Sequence, residues 1–259
     1  MTIRLAIAGA AGRMGRTLIA AAKDQDDLTV VGGSEAPDGL ARSGELGLTL
    51  SEDAGAAASE ADVWIDFTSP LVTLSALDAL TLTPVRAAII GTTGFSAEEE
   101  DAISKHAERI AIVKAGNFSL GVNLMNALIE QAAQRLGADW DIEIHEAHHR
   151  HKADAPSGTA LMMGDAAASG RGSPLAELRL PPADGITGPR KSGGIGFSVT
   201  RAGGIVGDHT AAFASDAEVL SISHRALDRS IFARGALEAA RWAVERPPGL
   251  YSMRDVLSL

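Results

Sequence analysis

The chain has 259 residues, a formal net charge of -10 and a hydrophobic content of 46%, enough for one large domain or two modest ones with a sizeable core. The absence of cysteine excludes disulfides, thiolate catalysis and cysteine-ligated clusters. The sequence has no run of about 18 apolar residues, so no membrane span is predicted. The first residues lack a signal-peptide pattern. The net negative charge of the chain disfavours nucleic-acid binding. We therefore expect a cytoplasmic protein with no membrane and no nucleic-acid partner.

A glycine-rich turn follows the first predicted strand. The apolar run Ile3–Ala8 leads into the sequence GAAGRMG at residues 9–15, and residues 17–23 have helical composition. The spacing is G-x-x-G-x-x-G. Glycines allow a tight turn and a close approach of backbone to a pyrophosphate, which a helix N-terminus then stabilises. A plain strand-to-helix connection is the alternative for this motif taken alone.

A glutamate ends the second apolar run. Residues 28–33 lead to Ser34 and Glu35, and Glu35 lies twenty residues beyond Gly15. An acidic residue at this offset accepts hydrogen bonds from the adenosine ribose hydroxyls and repels a 2′-phosphate. Because Ala36 next to it is uncharged, the sequence predicts NADH as the preferred cofactor. Arg42 in the following loop leaves NADPH open as a second cofactor.

Strands and helices continue to alternate up to residue 113. The predicted strands are residues 63–67, 85–90 and 110–113, and the predicted helices are residues 71–80 and 97–106. This alternation predicts a parallel sheet, whose carboxyl edge binds ligands. The loops at that edge are rich in glycine, hydroxyl and amide residues, at positions 66–70, 91–95 and 115–119. Each loop taken singly is equally well explained by turn-forming residues.

Residues 146–159, EAHHRHKADAPSGT, combine a basic cluster with a helix start. A helical pattern at residues 121–136 and a strand-like one at residues 140–145 precede them. Five consecutive basic residues, 148–152, in an acidic chain favour an anionic ligand, and histidine and lysine suit proton transfer. The sequence PSGT then opens a helix whose N-terminus can bind a carboxylate or phosphate, with the Ser157 and Thr159 hydroxyls as extra donors.

Two alternatives compete for this segment. A metal site is disfavoured, because H-H-x-H has no established ligand spacing and the chain lacks cysteine, so we expect no metal. A solvated basic turn would explain the charges, but it would not explain the helix start that follows them.

The pattern changes class after this helix. Residues 169–194, rich in Gly, Pro and Ser, are predicted to form a long loop. Three predicted strands follow at residues 195–201, 205–213 and 218–223, and Gly203-Gly204 predicts a hairpin between the first two. An amphipathic helix at residues 230–244 ends before two prolines. The predicted fold class is α/β: a Rossmann-like parallel-sheet dinucleotide domain plus an α+β domain with a mostly antiparallel sheet.

Taken together, these motifs resemble the 4-hydroxy-tetrahydrodipicolinate reductase family, also called dihydrodipicolinate reductase, of lysine and diaminopimelate biosynthesis. The likeness runs nearly end to end. It rests above all on residues 146–159, and also on GAAGRMG at 9–15, DFTSP at 66–70, GTTG at 91–94, NFS at 117–119, GVN at 121–123, GDH at 207–209 and GLYSMRDV at 249–256.

The resemblance implies two domains. A dinucleotide-binding domain would comprise residues 1–119 with 229–259, and a substrate-binding and tetramerisation domain would comprise residues 120–228. It also implies a homotetramer that assembles through the sheet of the second domain, and closure of the domains over the cofactor.

The resemblance also assigns roles to individual residues. The dinucleotide would contact Gly9, Ala10, Ala11, Gly12, Arg13, Met14, Glu35, Gly91, Thr92, Thr93, Gly116, Asn117, Phe118 and Ser119. His148 and Lys152 would be catalytic, and His149, Gly158 and Thr159 would bind the substrate, a cyclic dicarboxylate. Members that use NADPH well often have a basic residue after the ribose acid, and Ala36 departs from that pattern.

The reaction expected from the resemblance is the NAD(P)H-dependent reduction of 4-hydroxy-tetrahydrodipicolinate to tetrahydrodipicolinate with loss of water. Lys152 would donate a proton to ring C3, and His148 would act as acid or base nearby. Two alternatives stay open. Another Rossmann oxidoreductase would act on a different substrate, although an acylating aldehyde dehydrogenase would need a cysteine, and a non-catalytic NADH sensor would bind NADH without consuming it.

Overall fold

The computed structural model of the chain describes residues 2–259. They form two compact units, the first made of residues 2–120 with 230–259 and the second of residues 121–229. The junctions lie one residue from the boundaries that the resemblance implies. The assignment of the cofactor to the first unit and of the substrate to the second stays a prediction.

The first unit is built on a parallel sheet. Its first six strands are β1 (Ile3–Ala8), β2 (Leu28–Ser34), β3 (Leu50–Ser51), β4 (Val63–Asp66), β5 (Ala87–Ile90) and β6 (Ala111–Lys114). The helices between them are α1 (Arg13–Lys23), α2 (Ser43–Leu46), α3 (Ala54–Ala57), α4 (Pro70–Leu80) and α5 (Ala97–His106), with a 3-10 segment at Pro37–Arg42. Because helices cover both faces, β4 and β5 are buried throughout.

Helix starts in this unit follow local chemistry. Ser96 precedes α5, and its side chain accepts a hydrogen bond from the Glu99 N–H while the Glu99 carboxylate accepts one from the Ser96 N–H. This is a capping box. Pro70 opens α4, where its fixed φ and missing N–H are tolerated.

The second unit packs helices on one face of a four-stranded sheet. Its elements are α6 (Leu120–Arg135), which starts at the junction, β7 (Asp141–His148), α7 (Gly158–Gly170), α8 (Leu175–Leu178), β8 (Ile195–Arg201), β9 (Gly207–Ala214) and β10 (Val219–Ala226). The strand order is β10-β9-β7-β8. β9 runs antiparallel to both β7 and β10, whereas β8 is parallel to β7. The prediction of a second, mostly antiparallel sheet is confirmed.

The predicted hairpin at Gly203-Gly204 is wrong, because β7 lies between β8 and β9. Two glycines permit a turn, but they do not decide which strands pair. β7 lies inside the sheet, and its Ile142 and Ile144 are fully buried. Gly203 instead lies, with φ at +50°, in the connection between β8 and β9.

The predicted long loop at residues 169–194 is partly wrong. Its first two residues complete α7, α8 lies within it, and Arg179 forms a parallel bridge with Ile195. Helical hydrogen bonds tolerate small residues at the end of a helix, so the composition of this stretch concealed the last turn of α7. The remainder, residues 180–194, has irregular structure.

The two faces of the second sheet differ in chemistry. One face buries Ile142, Ile144 and Phe213 against α6 and α7. On the opposite face the strands carry small or polar side chains, many of them exposed, among them His145, Ser198, Ser221 and Ser223.

The chain then returns to the first unit. It adds α9 (Ser230–Ala243), β11 (Gly249–Tyr251) and α10 (Met253–Val256). β11 pairs in parallel with β6 at the edge of the sheet, whose full order is β11-β6-β5-β4-β1-β2-β3. α9 buries Ala236 and Leu237 in the core that holds Leu5 and Ile65. The Rossmann-like sheet predicted from the alternation is confirmed.

Candidate active site

The residues predicted to contact a dinucleotide follow β1, β2, β5 and β6. The strand order reverses between β1 and β4, since the chain proceeds to β2 and β3 on one side and to β5 and β6 on the other. Open parallel sheets bind ligands beside such a switch point, outside the carboxyl ends of the strands. The structure therefore brings these loops, which are far apart in sequence, to one edge of one sheet.

The turn after β1 has the geometry of a phosphate-binding loop. Gly9 adopts φ +61°, and its carbonyl accepts a hydrogen bond from the Gly12 N–H at 2.9 Å. A Cβ at Gly15 would stand 2.4 Å from the Gly9 oxygen, so only glycine allows α1 to pack this closely under the turn. Gly12 precedes α1 and has no side chain to cap it. The N–H groups of the first turn of α1, around Arg13 and Met14, are therefore suited to an anion.

Glu35 lies beside this turn, as the sequence predicts. Its Oε2 accepts a hydrogen bond from the Ala11 N–H at 2.8 Å, and its Oε1 accepts one from the Ala36 N–H at 3.0 Å. Arg42 reaches the same turn from the 3-10 segment and donates to the Ala11 carbonyl at 3.4 Å. A carboxylate suited to ribose hydroxyls and a guanidinium suited to a 2′-phosphate thus both contact Ala11.

The side chain of Thr92 is used in hydrogen bonds within the protein. It is buried, and its hydroxyl bonds Thr73 at 3.0 Å and Asp66 at 3.2 Å and accepts from the Thr68 N–H at 3.0 Å. Neighbouring Gly91 is required sterically, because a Cβ there would stand 2.0 Å from a ring carbon of Phe67. In this loop, the groups left to contact a dinucleotide are therefore the backbone and the Thr93 side chain.

Phe118 belongs to the core of the first unit. It is 1% exposed and meets the Phe67 ring edge-on at 5.4 Å between centroids. Asn117 folds the loop back, since its side-chain oxygen accepts a hydrogen bond from the Ser119 N–H at 2.8 Å. Residues Gly116 to Ser119 therefore form a shaped loop in which Phe118 contributes packing.

The basic segment of the second unit is organised by Glu146 on β7. This carboxylate is fully buried and accepts four hydrogen bonds: two from Arg201 at 2.8 Å each, one from His148 Nδ1 at 2.6 Å and one from the Ser157 N–H at 2.9 Å. Burial by itself raises the pKa of Glu146, but the hydrogen bonds from Arg201, His148 and Ser157 outweigh it and lower the pKa to about 2. Glu146 is therefore ionised at neutral pH.

His148 is buried, with one ring nitrogen assigned by its surroundings. An ionised carboxylate only accepts hydrogen bonds, so Nδ1 must carry the proton that meets Glu146. The other nitrogen, Nε2, faces Gly207, where a Cβ would stand 3.1 Å away. The His209 ring packs edge-on against His148 at 5.1 Å between centroids. In neutral His148 the lone pair is thus on Nε2.

The N-terminus of α7 is fixed to the same carboxylate. Ser157 caps the helix, because its Oγ accepts a hydrogen bond from the Ala160 N–H at 3.2 Å, and this oxygen also lies 3.3 Å from His209 Nε2. The Ser157 hydroxyl is thus engaged by the helix cap and by His209, and its role as an extra donor to a ligand stays a prediction. Gly158 is exposed, and a Cβ added there would meet open space, while Thr159 next to it is half-buried.

Lys152 is linked to this network through Asp154. Its ammonium lies 2.9 Å from the Asp154 carboxylate, and Arg201 donates to the Asp154 carbonyl at 2.6 Å. The hydrogen bond from Lys152 lowers the pKa of Asp154. His149 is half-buried and lies 6.3 Å from His151 between ring centroids. All five residues predicted to be catalytic or substrate-binding are thus in one segment of the second unit.

Sequence reasoning gave no role to Arg201 or His209. His209 lies in the GDH match at residues 207–209, which was a usable signal. Arg201 had none, because its contact with Glu146 spans 55 residues of sequence and depends on the pairing of β7 with β8.

The described part of the chain has neither a metal-binding cluster nor a membrane-spanning helix. Among residues 2–259, no group of three or more His, Cys, Asp or Glu side chains is arranged to hold a metal ion. Of the helices in that range, none has both the length and the apolar composition needed to cross a membrane.

Comparison with known proteins gives a consistent family across the whole chain. The family described as dihydrodipicolinate reductase, N-terminus, matches residues 3–118, and dihydrodipicolinate reductase, C-terminus, matches residues 121–257. The 4-hydroxy-tetrahydrodipicolinate reductase of Caulobacter vibrioides is 50% identical over 98% of this chain and 97% of its own length. That of Parvibaculum lavamentivorans is 49% identical over 99% of this chain and 98% of its own length.

Solved structures share the fold. A dipicolinate-bound dihydrodipicolinate reductase from Paenisporosarcina sp. TG-14 superposes with a TM-score of 0.81 at 24% identity, covering 97% of this chain and 98% of that one. A myo-inositol dehydrogenase from Corynebacterium glutamicum has a TM-score of 0.58 at 17% identity, covering 96% and 90% of the two chains. At these identities the likeness concerns the fold alone.

Proposed function

The chain belongs to the dihydrodipicolinate reductase family, and we propose that it catalyses the NAD(P)H-dependent reduction of 4-hydroxy-tetrahydrodipicolinate to tetrahydrodipicolinate with loss of water. The reaction belongs to lysine and diaminopimelate biosynthesis. The observation that carries the proposal is the segment 146–159, where a histidine with an assigned lone pair, a lysine and an open helix N-terminus occur together. The relatives' names support the substrate.

The substrate is proposed to bind through its carboxylates. Gly158, exposed at the start of α7 with Thr159 half-buried beside it, offers its backbone N–H and the positive end of the helix dipole to one carboxylate. His149 would contact the substrate from the neighbouring turn. The dipicolinate bound by the Paenisporosarcina reductase is a cyclic dicarboxylate of the same kind.

Lys152 and His148 are proposed to handle the proton. When bound, the nicotinamide would supply hydride to ring C4 after the 4-hydroxyl has left as water together with a C3 proton. The Lys152 ammonium would donate a proton to ring C3, and its ion pair with Asp154 holds the ammonium in place. His148 would act through Nε2, the nitrogen that Glu146 leaves free to accept or return a proton. General acid–base help of this kind contributes roughly 10²- to 10⁴-fold in rate.

NADH is proposed as the preferred cofactor and NADPH as a second one. The residues of the first unit fit a dinucleotide, since the Gly9 turn, the open N-terminus of α1 and the Glu35 carboxylate lie at one sheet edge. Glu35 favours the ribose hydroxyls, while Ala36 offers no charge to a 2′-phosphate. Arg42 beside Ala11 is the residue that supports some use of NADPH.

A homotetramer is proposed to form through the second sheet. The face opposite α6 and α7 carries short polar side chains such as Ser198, Thr210 and Ser221, and Thr210 already bonds Ser223 across the sheet. A flat face of small side chains allows close approach of an identical face related by symmetry.

The first experiment is oxidation of NADH and NADPH by the purified protein. The unstable substrate is generated in the cuvette from pyruvate and aspartate semialdehyde by a separate synthase. We expect oxidation that depends on the synthase and is faster with NADH. Binding of NADH without oxidation would contradict the reductase and favour a sensor.

A lysine variant then tests the proton donor. Lys152→Ala should lower kcat by about 10²-fold or more, because the general acid is lost. Lys105→Ala removes an exposed lysine of α5 and should leave kcat unchanged. If Lys152→Ala raised KM alone and kept kcat, Lys152 would be a binding residue.

A further inference from the structure

We propose that Glu146 is a positioning residue that fixes the protonation pattern of His148 and couples it to the N-terminus of α7. The inference deepens the proposed function and rests on it for its kinetic consequences. Glu146 is too deeply buried to meet a substrate, so it acts through His148 and Ser157.

The four hydrogen bonds to Glu146 demand a carboxylate. Oε2 accepts from His148 Nδ1 and from Arg201 Nη1, and Oε1 accepts from Arg201 Nη2 and from the Ser157 N–H. Every partner is a donor. Only a group with two accepting oxygens satisfies all four, and carboxylate is the one side-chain group of this length that has them.

In the Glu146→Gln variant, the side-chain NH₂ group would face two hydrogen-bond donors whichever oxygen it replaced. If the amide nitrogen of the Glu146→Gln variant replaced Oε2, its N–H groups would meet Arg201 and His148 Nδ1, which would favour loss of the Nδ1 proton and transfer of the histidine N–H to Nε2. If the nitrogen replaced Oε1, it would meet Arg201 and the Ser157 N–H. The first arrangement is favoured, because a neutral histidine can exchange tautomers whereas a backbone N–H cannot change its role.

The other groups around His148 do not supply this control. Arg201 lies beside it on β8 and is committed to Glu146, to the Thr200 carbonyl and to the Asp154 carbonyl. His209 faces it from β9, and burial, with the repulsion from His148, lowers the pKa of His209 to about 4, so His209 is neutral at pH 7. Glu146 is thus the charged group that bonds the His148 ring directly.

The decisive measurement is the tautomer of His148, read from the two imidazole ¹⁵N shifts of histidine-labelled protein. The chain has seven histidines, and His148 is identified by the signal lost in His148→Gln. In the wild-type protein we expect neutral His148 to be protonated on Nδ1 and bare on Nε2. In Glu146→Gln we expect the proton on Nε2. A wild-type His148 protonated on Nε2 would overturn the proposal, as would a Glu146→Gln spectrum identical to wild type.

Kinetics test whether Glu146 acts through His148. Glu146→Gln should lower kcat by about 10²- to 10³-fold, within the range of general acid–base catalysis, with a smaller change in KM. The double variant Glu146→Gln/His148→Gln should be no slower than His148→Gln alone, because residues that act as a unit are not additive. Losses that multiply would assign Glu146 a separate structural role and refute positioning.

Asp62→Asn is the matched control. Asp62 accepts three hydrogen bonds from Arg4 in the first unit, so its loss breaks a comparable ion pair away from His148. It should change neither the His148 shifts nor kcat. The tautomer is measured without substrate. It therefore decides the role of Glu146 even if the wild-type protein failed to turn over, a result that would count against the proposed function instead.

Discussion

At the scale of single residues, the second unit buries two ionisable groups, Glu146 and His209, whose pKa values are both lowered on folding. Ionised Glu146 would cost several kcal/mol to bury alone, and its four donors offset that cost. Since its pKa falls from 4.5 to about 2 on folding, Glu146 stabilises the protein at neutral pH, and this stabilisation is lost as pH falls from about 4.5 towards 2.

His209 also lowers the stability of the protein in acid, over a higher pH range than Glu146. Burial, then repulsion by His148, lowers its pKa from 6.5 to about 4. Below pH 6.5 the unfolded chain therefore binds a proton that the folded chain refuses, and the free energy of unfolding falls as pH drops from about 6.5 to about 4. Glu146 and Asp208 moderate the shift, and His224 adds to it.

Replacing His209 should flatten this acid dependence. At about 1.4 kcal/mol per pH unit, His209 accounts for about 2 kcal/mol between pH 7 and about pH 4.5. Urea titrations at these two pH values should show a difference in unfolding free energy that is smaller by about that amount in His209→Gln than in wild type. His151→Gln, which changes an exposed residue, should keep the wild-type dependence. An unchanged dependence in His209→Gln would mean that the pKa of His209 does not change on folding.

A single substitution beside Glu35 should change cofactor choice. Arginine at position 36 would place a guanidinium next to the ribose carboxylate, where a charge-assisted hydrogen bond to a 2′-phosphate forms. Ala36→Arg should raise kcat/KM for NADPH about tenfold, the value of one such bond, and leave that for NADH within about threefold. Arg42→Ala should lower kcat/KM for NADPH selectively. If neither variant altered the NADPH to NADH ratio, the 2′-phosphate would bind elsewhere.

At the scale of elements, local patterns were sufficient for most boundaries and insufficient for pairing. The helix predicted at residues 97–106 is α5 (Ala97–His106). Which strands pair depends on side chains that come together from distant parts of the chain. Residues of β7, β8, β9, α6 and α7 all contribute to one core. For the same reason the motif revealed His148 and Lys152, whereas the Arg201 partner of Glu146 required the β7–β8 pairing.

The irregular segment 180–194 is held to the sheet by arginines. Arg190 bonds Asp141 at 3.2 Å and Glu143 at 2.9 Å, and it donates to the Ile142 and Gly194 carbonyls. Arg171 donates to the Gly193 carbonyl at 2.9 Å. This long loop is thus fixed at its C-terminal end.

Removing one of these anchors should expose the segment to proteolysis. Arg190→Met should raise the rate of subtilisin cleavage within residues 180–194 about tenfold, because local opening becomes easier by about 1–2 kcal/mol. Cleavage sites are located by mass spectrometry. Arg241→Met breaks a comparable network with Asp27 and Glu238 in the first unit and should not accelerate cleavage there. Equal rates for wild type and Arg190→Met would show that other contacts hold the segment.

At the scale of the whole molecule, the first unit depends on both ends of the chain. Its core combines strands from the first 114 residues with α9, and Gly235 allows α9 to approach the Phe118 backbone, where a Cβ would stand 1.7 Å from the carbonyl oxygen. The second unit is continuous and covers only one face of its sheet with helices. The sequence could not reveal this asymmetry, because alternating small polar residues predict a solvated face and an interface equally well.

The uncovered face gives the test of assembly. If identical faces meet in a homotetramer, a charge introduced there is desolvated against its own copy, whereas in a monomer it remains in water. Sedimentation of the wild-type protein should give the mass of four chains, and Ser221→Arg on β10 should give a smaller assembly at the same concentration. Leu82→Arg adds the same charge at a residue that is 95% exposed in the first unit and should sediment like wild type. A Ser221→Arg protein that remained tetrameric would place the interface on another surface, and a monomeric wild type would exclude the tetramer itself.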